Sequence, residues 1–223
     1  APVMIAATWR RAIPDNTRWE RGASLFGLRP VPVVGRNQIR DRMWESLREV
    51  HRTRSARAVV VRGASGMGKS RLVHWMARRA LELGAAEMIF ASYVDDEEPG
   101  LSLRWAWLRA FNVVGMELET GGKLIARTLR DLDAADDVLI AATMRALQGS
   151  DDLDPASRYT LFTRLLGLFC KGRRPHIVVL DDIQWGMDGL DWIASVLAAQ
   201  ERSPVPVLFL CTVQEEALAE HPE

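Results

Sequence analysis

The chain has 223 residues, of which 48% are hydrophobic and 26% are charged. This length and balance exclude the disordered and fibrous classes and allow one large globular domain or two small ones. Lysine plus arginine and aspartate plus glutamate each number 29, so no net charge draws the chain to nucleic acid or to an anionic membrane.

The two cysteines, Cys170 and Cys211, both lie in apolar runs without the spacing of a metal site. We therefore expect reduced thiols in the core rather than a disulfide. No apolar stretch reaches the ~18 residues that a membrane helix needs, and the N-terminus lacks the order of a signal peptide. These features predict a cytoplasmic protein with no membrane partner.

Residues 1–30 are rich in proline and glycine and show no sustained periodicity, which predicts a lead-in or linker. Residues 31–223 are predicted to form one domain. The pattern there first predicts a helix at 37–51, a strand at 58–61, a helix at 69–83 and a strand at 87–94. About three helices follow within 101–147, with breaks near Gly115, at Gly121 and Gly122 and near Asp133. The last predicted elements are a helix at 155–170, a strand at 177–180, a helix at 188–200 and a strand at 205–211.

These strands alternate with helices, and each strand is an almost continuous apolar run. Continuous apolar strands are typical of sheets that are buried on both faces. The sequence therefore predicts an α/β fold in which a parallel sheet carries helices on both faces.

The residues from Gly63 to Ser70 match the pattern GxxxxGK[ST] between a predicted strand and a predicted helix. Glycines allow the backbone to curl until its amides face a β-phosphate at the helix N-terminus. Lys69 would bridge the β- and γ-phosphates, and Ser70 would ligate Mg²⁺. A plain glycine-rich turn would not explain the Lys-Ser pair. The predicted ATP-binding residues are Gly63, Ala64, Ser65, Gly66, Met67, Gly68, Lys69, Ser70 and Arg71.

A second motif follows the predicted strand at 177–180, which ends in Asp181 and Asp182. Ligands of open α/β sheets bind at the carboxyl ends of the strands. Asp181 would hold Mg²⁺ through a water, and Asp182 would be the base or the water-orienting residue for hydrolysis of the γ-phosphate. Apolar strands often end in aspartate, so this motif gains its weight from the phosphate loop upstream.

With these motifs the chain resembles the STAND-type signalling ATPases of the AAA+ branch, especially the bacterial modules fused to serine/threonine kinases, nucleotide cyclases or LuxR-type regulators. The resemblance covers most of the chain after the lead-in. Its four landmarks are the box Val34, Gly35 and Arg36, the segment GASGMGKSRL that begins at Gly63, the run from Asp181 to Trp185, and residues 208–216 with Thr212 near the strand end.

The resemblance implies that Val34, Gly35 and Arg36 lie near the adenine and that Thr212 is a polar sensor close to the γ-phosphate. From the residues alone, 34–36 would be an ordinary loop. The same resemblance implies a P-loop NTPase with an AAA+-like strand order, with a fifth strand outside the phosphate-loop strand and a helical lid after it.

The sequence departs from the family pattern at two places. Gln214 stands two positions after Thr212, where the family commonly has an arginine, and Gly186-Met187 replaces the usual Ala-Asp after Trp185. Both departures predict slow hydrolysis rather than loss of nucleotide binding. Because no fifth strand or lid fits between Gln214 and Glu223, we expect a truncated core whose strand at 58–62 is a sheet edge, shielded by the lead-in or paired with a neighbouring molecule.

The leading functional hypothesis is an ATP- and Mg²⁺-dependent switch in a larger bacterial signalling protein. This switch would be a slow ATPase that acts on other domains of the parent protein and can self-associate when activated. One alternative is a scaffold that holds nucleotide without hydrolysing it. Another is a nucleotide-gated transcription regulator whose DNA-binding part lies outside this chain, since no direct nucleic-acid contact is predicted within it. A P-loop kinase of small molecules would carry an arginine-rich lid, which the sequence lacks.

Overall fold

The computed structural model describes residues 5–10, 33–95, 100–134, 136–149, 153–171 and 174–220, and of residues 218–220 it describes the backbone only. In chain order its helices and strands are α1 Asn37–Thr53, β1 Arg57–Gly63, α2 Lys69–Glu82, β2 Glu87–Ser92, α3 Leu101–Ala110, α4 Leu118–Asp131, α5 Asp137–Gln148, α6 Pro155–Cys170, β3 His176–Asp181, α7 Met187–Ala199, β4 Val207–Gln214 and α8 Glu215–Glu220, with a short 3-10 helix at Ile183–Trp185 between β3 and α7.

The four strands of the described residues form one parallel sheet in the order β1-β4-β3-β2. Strand β4 therefore lies between β1 and β3, although β1 and β4 are far apart in the chain. Gly63 of β1 pairs with Gln214 of β4, and Ser92 of β2 pairs with Asp181 of β3. The carboxyl ends of all four strands lie at the same end of the sheet. This arrangement confirms the predicted P-loop fold with a parallel sheet.

Helices cover both faces of the sheet, and alternate residues of the central strands point to opposite layers. Ile177 and Val179 belong to a core shared with α1 and α2, whereas Val178 and Leu180 belong to a core shared with α3 to α7. Every residue of β3 is buried. The continuous apolar run of this strand is thus explained by burial on both faces, as predicted.

The predicted breaks near Gly115 and Asp133 are confirmed, but the predicted break at Gly121 and Gly122 is wrong. Both glycines are buried inside α4. A Cβ on Gly121 would contact Val113, and one on Gly122 would lie against the end of Met144. These glycines serve close packing against neighbouring segments rather than a turn, and a sequence pattern cannot separate the two uses.

Strand β1 is an edge within the described part of the chain, because it pairs with β4 alone, and Val60 is 52% exposed. The described lead-in residues pack elsewhere: the ring of Trp9 lies 5.1 Å from that of Trp75 on α2, and the carbonyl of Ala6 accepts a hydrogen bond from Trp44 on α1. The predicted edge is therefore confirmed. Residues 11–30 of the lead-in, which form most of the predicted cover, lie outside the described residues.

Within the described residues no helix is long and apolar enough to cross a membrane. Both cysteines are buried and neither forms a disulfide, as predicted. Burial raises the pKa of the Cys170 thiol and of the Cys211 thiol from near 9 to about 12. Because the protonated thiol is favoured only in the folded state, this contribution to stability is complete below about pH 8.5 and is lost as the pH rises towards 12.

We expect both thiols to be inert towards a disulfide reagent at pH 8 while the chain is folded, because the reactive thiolate is scarce and the sulfur is covered. In denaturant, both thiols should react at the rate of free cysteine. The release of the reagent's chromophore measures both states, and equal rates in the folded and unfolded protein would contradict the burial.

Candidate nucleotide-binding site

The loop between β1 and α2 has a backbone shape that depends on glycine. Gly66 and Gly68 have φ angles of 74° and 75°, in the left-handed region that other residues avoid. No atom lies within 4 Å of the place where a Cβ on either residue would stand. The loop is thus curled and open on its outer side, which is the form that allows backbone amides to approach a phosphate.

Lys69 begins α2 and directs its ammonium group back into the loop. Its side chain is buried, with the residue 6% exposed, and Nζ donates to the carbonyl oxygens of Gly63 at 2.8 Å and Ala64 at 2.9 Å. A buried ammonium normally has an anionic partner, and the partners in the described part of the chain are these two neutral carbonyls. The site therefore fits an anionic ligand, and Ser70 follows directly at the helix start.

Thr212, Asp181 and Asp182 form a hydrogen-bonded group at the carboxyl ends of β3 and β4. The Thr212 hydroxyl donates to Oδ1 of Asp181 at 2.6 Å and accepts from the backbone N–H of Asp182 at 2.8 Å. Thr212 is fully buried and Asp181 is 8% exposed. The second oxygen of Asp181, Oδ2, lies 3.8 Å from Nε2 of His74 on α2. Oδ2 is the oxygen that this arrangement leaves for a cation.

Two amide side chains hold Asp182. Gln214 donates to Oδ1 of Asp182 at 3.2 Å, and Gln184 donates to the same oxygen at 3.4 Å. The side-chain amide oxygen of Gln184, Oε1, accepts from the backbone N–H of Gln214 at 3.3 Å, which closes the network. Asp182 has φ 55°, and aspartate is one of the few residues other than glycine that tolerate this conformation.

The residues of this site fit ATP with Mg²⁺. Mg²⁺ is usually held by one or two protein groups together with water and substrate phosphates. Ser70 and Asp181 would supply those protein groups, and Lys69 with the loop amides would bind the phosphates. When bound, the metal would neutralise phosphate charge. The predicted role of Asp182 is to orient a water or to accept a proton from it.

The predicted adenine box lies directly beside the phosphate loop. Arg36 adopts φ 53° ahead of α1, and its guanidinium donates to the carbonyl of Met67 in the loop. Val34 and Gly35 are exposed beside it, so an apolar surface is available next to the loop. Arg71 is exposed on the first turn of α2, and the structure brings it to no partner among the described residues.

The departure from the family pattern at Gly186 has a steric explanation. Tyr93 follows β2, is 5% exposed, and lays its ring where Cβ atoms on Gly186 and Gly189 would stand. Its backbone N–H donates to the carbonyl of Asp181 at 3.0 Å. An alanine after Trp185 would collide with this ring. The glycines therefore accompany a bulky side chain that fixes the end of β3.

Three polar residues at this end of the sheet were not predicted from the sequence as site residues: Gln184, His74 and Glu216. Gln184 and Gln214 were visible as amides near Asp182, but nothing in the spacing indicated that both bind the same oxygen. His74 lies one helical turn after Ser70, where a pattern search could have found it. The Glu216 contact is formed with the phosphate loop 151 residues away, and only the structure reveals it.

The fold and this site together define a P-loop module of the nucleotide-binding type. The family described as AAA ATPase domain matches residues 32–210, so the chain belongs to that family. Among curated proteins, none matches the chain.

Two solved structures of the ORC2 protein of Aeropyrum pernix resemble the chain. Its ADPNP-ADP complexes align with a TM-score of 0.52 and 11% identity, covering 88% of this chain and 46% of that one. The ADP form aligns with a TM-score of 0.47 and 12% identity, covering 86% and 44%. At 11% identity the likeness to the ADPNP-ADP complexes shows a shared fold alone. The chain spans less than half the length of these ORC2 chains.

Replacing Thr212 with valine should destabilise the nucleotide-free protein by about 1–3 kcal/mol, because it leaves the Asp182 amide and an Asp181 oxygen without their partner in a buried place. Thr212→Ser keeps the hydroxyl and is the matched control. Urea unfolding measures both variants. If Thr212→Val were as stable as Thr212→Ser, the hydroxyl would not hold the two aspartates together.

Proposed function

We propose that the chain is the ATP- and Mg²⁺-binding module of a larger bacterial signalling protein, in which nucleotide state sets conformation or self-association and slow hydrolysis resets the switch. The observation that carries this proposal is the buried Lys69 ammonium, which faces the open loop with carbonyl partners alone among the described residues. Membership in the AAA ATPase domain family supports it. The proposed setting is cytoplasmic, and the proposed partners are other domains of the parent protein.

Binding is supported by complementary groups on three sides of the proposed phosphate position. The loop offers backbone amides and Lys69 offers a positive charge, while Asp181 on the side of β3 offers an oxygen for the Mg²⁺ that would accompany the phosphate. The Thr212 hydroxyl keeps the Asp181 carboxylate in place before nucleotide arrives. Because these groups are held by the fold, little ordering is needed when the ligand binds.

Slow hydrolysis is supported by the surroundings of Asp182. A carboxylate oxygen that already accepts two hydrogen bonds has less capacity left to accept one from an attacking water. Gln184 and Gln214 both donate to Oδ1. In addition, Gln214 is neutral where the family resemblance implies a cation that could stabilise transition-state charge. The same network favours the second candidate function, a scaffold that binds nucleotide without hydrolysing it.

Lys69→Ala should weaken binding of Mg-ATP by about 2–3 kcal/mol, or roughly 30- to 150-fold, because it removes a charge-assisted contact in a desolvated site. Isothermal titration calorimetry measures the affinity. Lys123→Ala, on the exposed surface of α4 where Lys123 pairs with Glu119, is the control and should bind like the wild type. Equal affinities for all three proteins, each folded, would refute the nucleotide site.

Asp182→Asn should leave nucleotide binding within about twofold and reduce phosphate release at least about tenfold, because asparagine keeps the shape and the left-handed backbone but accepts no proton. Release of phosphate is followed under single-turnover conditions, with Lys69→Ala as the background. A wild type no faster than that background would favour the scaffold. A variant as fast as the wild type would exclude Asp182 as the base.

A further inference from the structure

A carboxylate that follows β4 closely in the chain contacts the phosphate loop. Oε1 of Glu216, the second residue of α8, accepts a hydrogen bond from the backbone N–H of Ser65 at 3.3 Å. The sheet brings the two together, because Gly63 before the loop pairs with Gln214 before α8. One of the amides that this type of loop offers to phosphate is thus bound to an anionic group of the protein itself.

The position of Lys69 shows which end of the loop this is. Its ammonium group contacts the carbonyls of Gly63 and Ala64, the two residues that precede Ser65. In a phosphate loop the lysine reaches the β- and γ-phosphates. The Glu216 carboxylate therefore lies at the lysine end of the loop, where the γ-phosphate of ATP would arrive and where ADP carries no group.

We propose that Glu216 competes with the γ-phosphate for the Ser65 amide, so that the protein lowers its own affinity for ATP relative to ADP. The inference rests on the proposed nucleotide site. A carboxylate and a phosphate oxygen are both anionic acceptors, and one N–H cannot serve both at full strength. Their mutual repulsion at short range adds to this competition.

The competition would link the γ-phosphate to the position of the Glu216 side chain. To admit ATP, this side chain must leave Ser65, and Glu216 belongs to the helix that directly follows β4. The next residue, Ala217, is buried and holds the first turn of α8 against the domain, whereas the Glu216 side chain is exposed and can rotate. ADP makes no such demand. The two nucleotides would therefore favour different positions of the Glu216 side chain.

The test compares Glu216→Gln with Glu215→Gln. Glu215 is the exposed neighbour, and among the described residues its carboxylate makes no hydrogen bond. Calorimetry with Mg²⁺ and the β,γ-imido analogue of ATP should show tighter binding to Glu216→Gln on the order of tenfold, with ADP affinity changed less than about twofold. Glu215→Gln should change both affinities less than about threefold. High salt should reduce the ratio of ADP affinity to ATP-analogue affinity in the wild type, and it should leave that ratio unchanged in Glu216→Gln.

Two outcomes would overturn this inference while leaving the nucleotide site intact. Weaker binding of the ATP analogue to Glu216→Gln would mean that the carboxylate assists the phosphate or its metal. Equal changes for both nucleotides would mean that Glu216 does not read the γ-phosphate. If the wild type and Lys69→Ala had equal affinities for each nucleotide, the proposed function would fail and this inference would fail with it. Circular dichroism confirms that each variant is folded, and Glu216→Ala repeats the test without an amide.

Discussion

The pairing of β4 between β1 and β3 is the constraint on which the site depends. The two halves of the proposed chemistry are distant in the chain, and neither strand that carries them touches the other. Because β4 pairs with both, Gln214 lies beside Gly63 and the loop, while Thr212 contacts Asp181 and Asp182. A shift of β4 by one residue would turn Thr212 to the opposite face and separate the carboxylates from their hydroxyl partner.

Neutral hydrogen bonds hold most of the charged groups of the site, and His74 in addition lies 3.8 Å from Oδ2 of Asp181. Carbonyls hold Lys69, a hydroxyl holds Asp181, and amides hold Asp182. Neutral partners position a charge without cancelling it, so the positive loop remains able to attract phosphate and Asp181 remains able to attract a cation. The cost falls on Asp182, whose two amide donors restrain its oxygen. The proposal of slow turnover rests on this restraint.

Those parts of the molecule that depend on a short stretch of residues could be predicted from the sequence. The phosphate loop has its own pattern, the helix at 155–170 begins at Pro155 and ends at Cys170 as predicted, and the apolar run of β3 indicated a strand buried on both faces. The misplaced break at Gly121 and Gly122 failed because a glycine that opens a turn and one that admits a neighbour look the same in sequence. Contacts such as Glu216 with Ser65 depend on the order of strands, which the family resemblance supplied and composition could not.

Tyr93 shows how a residue outside both motifs shapes the proposed hydrolytic group. Its ring occupies the space over Gly186 and Gly189, and its N–H binds the Asp181 carbonyl, so the chain on either side of Asp182 is fixed. Asp182 lies between these fixed points in a left-handed conformation that costs energy for a residue with a side chain. Because packing on the side of α7 maintains that turn, a movement of α7 would change the position of the Asp182 carboxylate. The helices on the α7 side of the sheet are thus connected to Asp182 through Tyr93 and the two glycines. This connection is separate from α2, which follows the phosphate loop and packs on the opposite face.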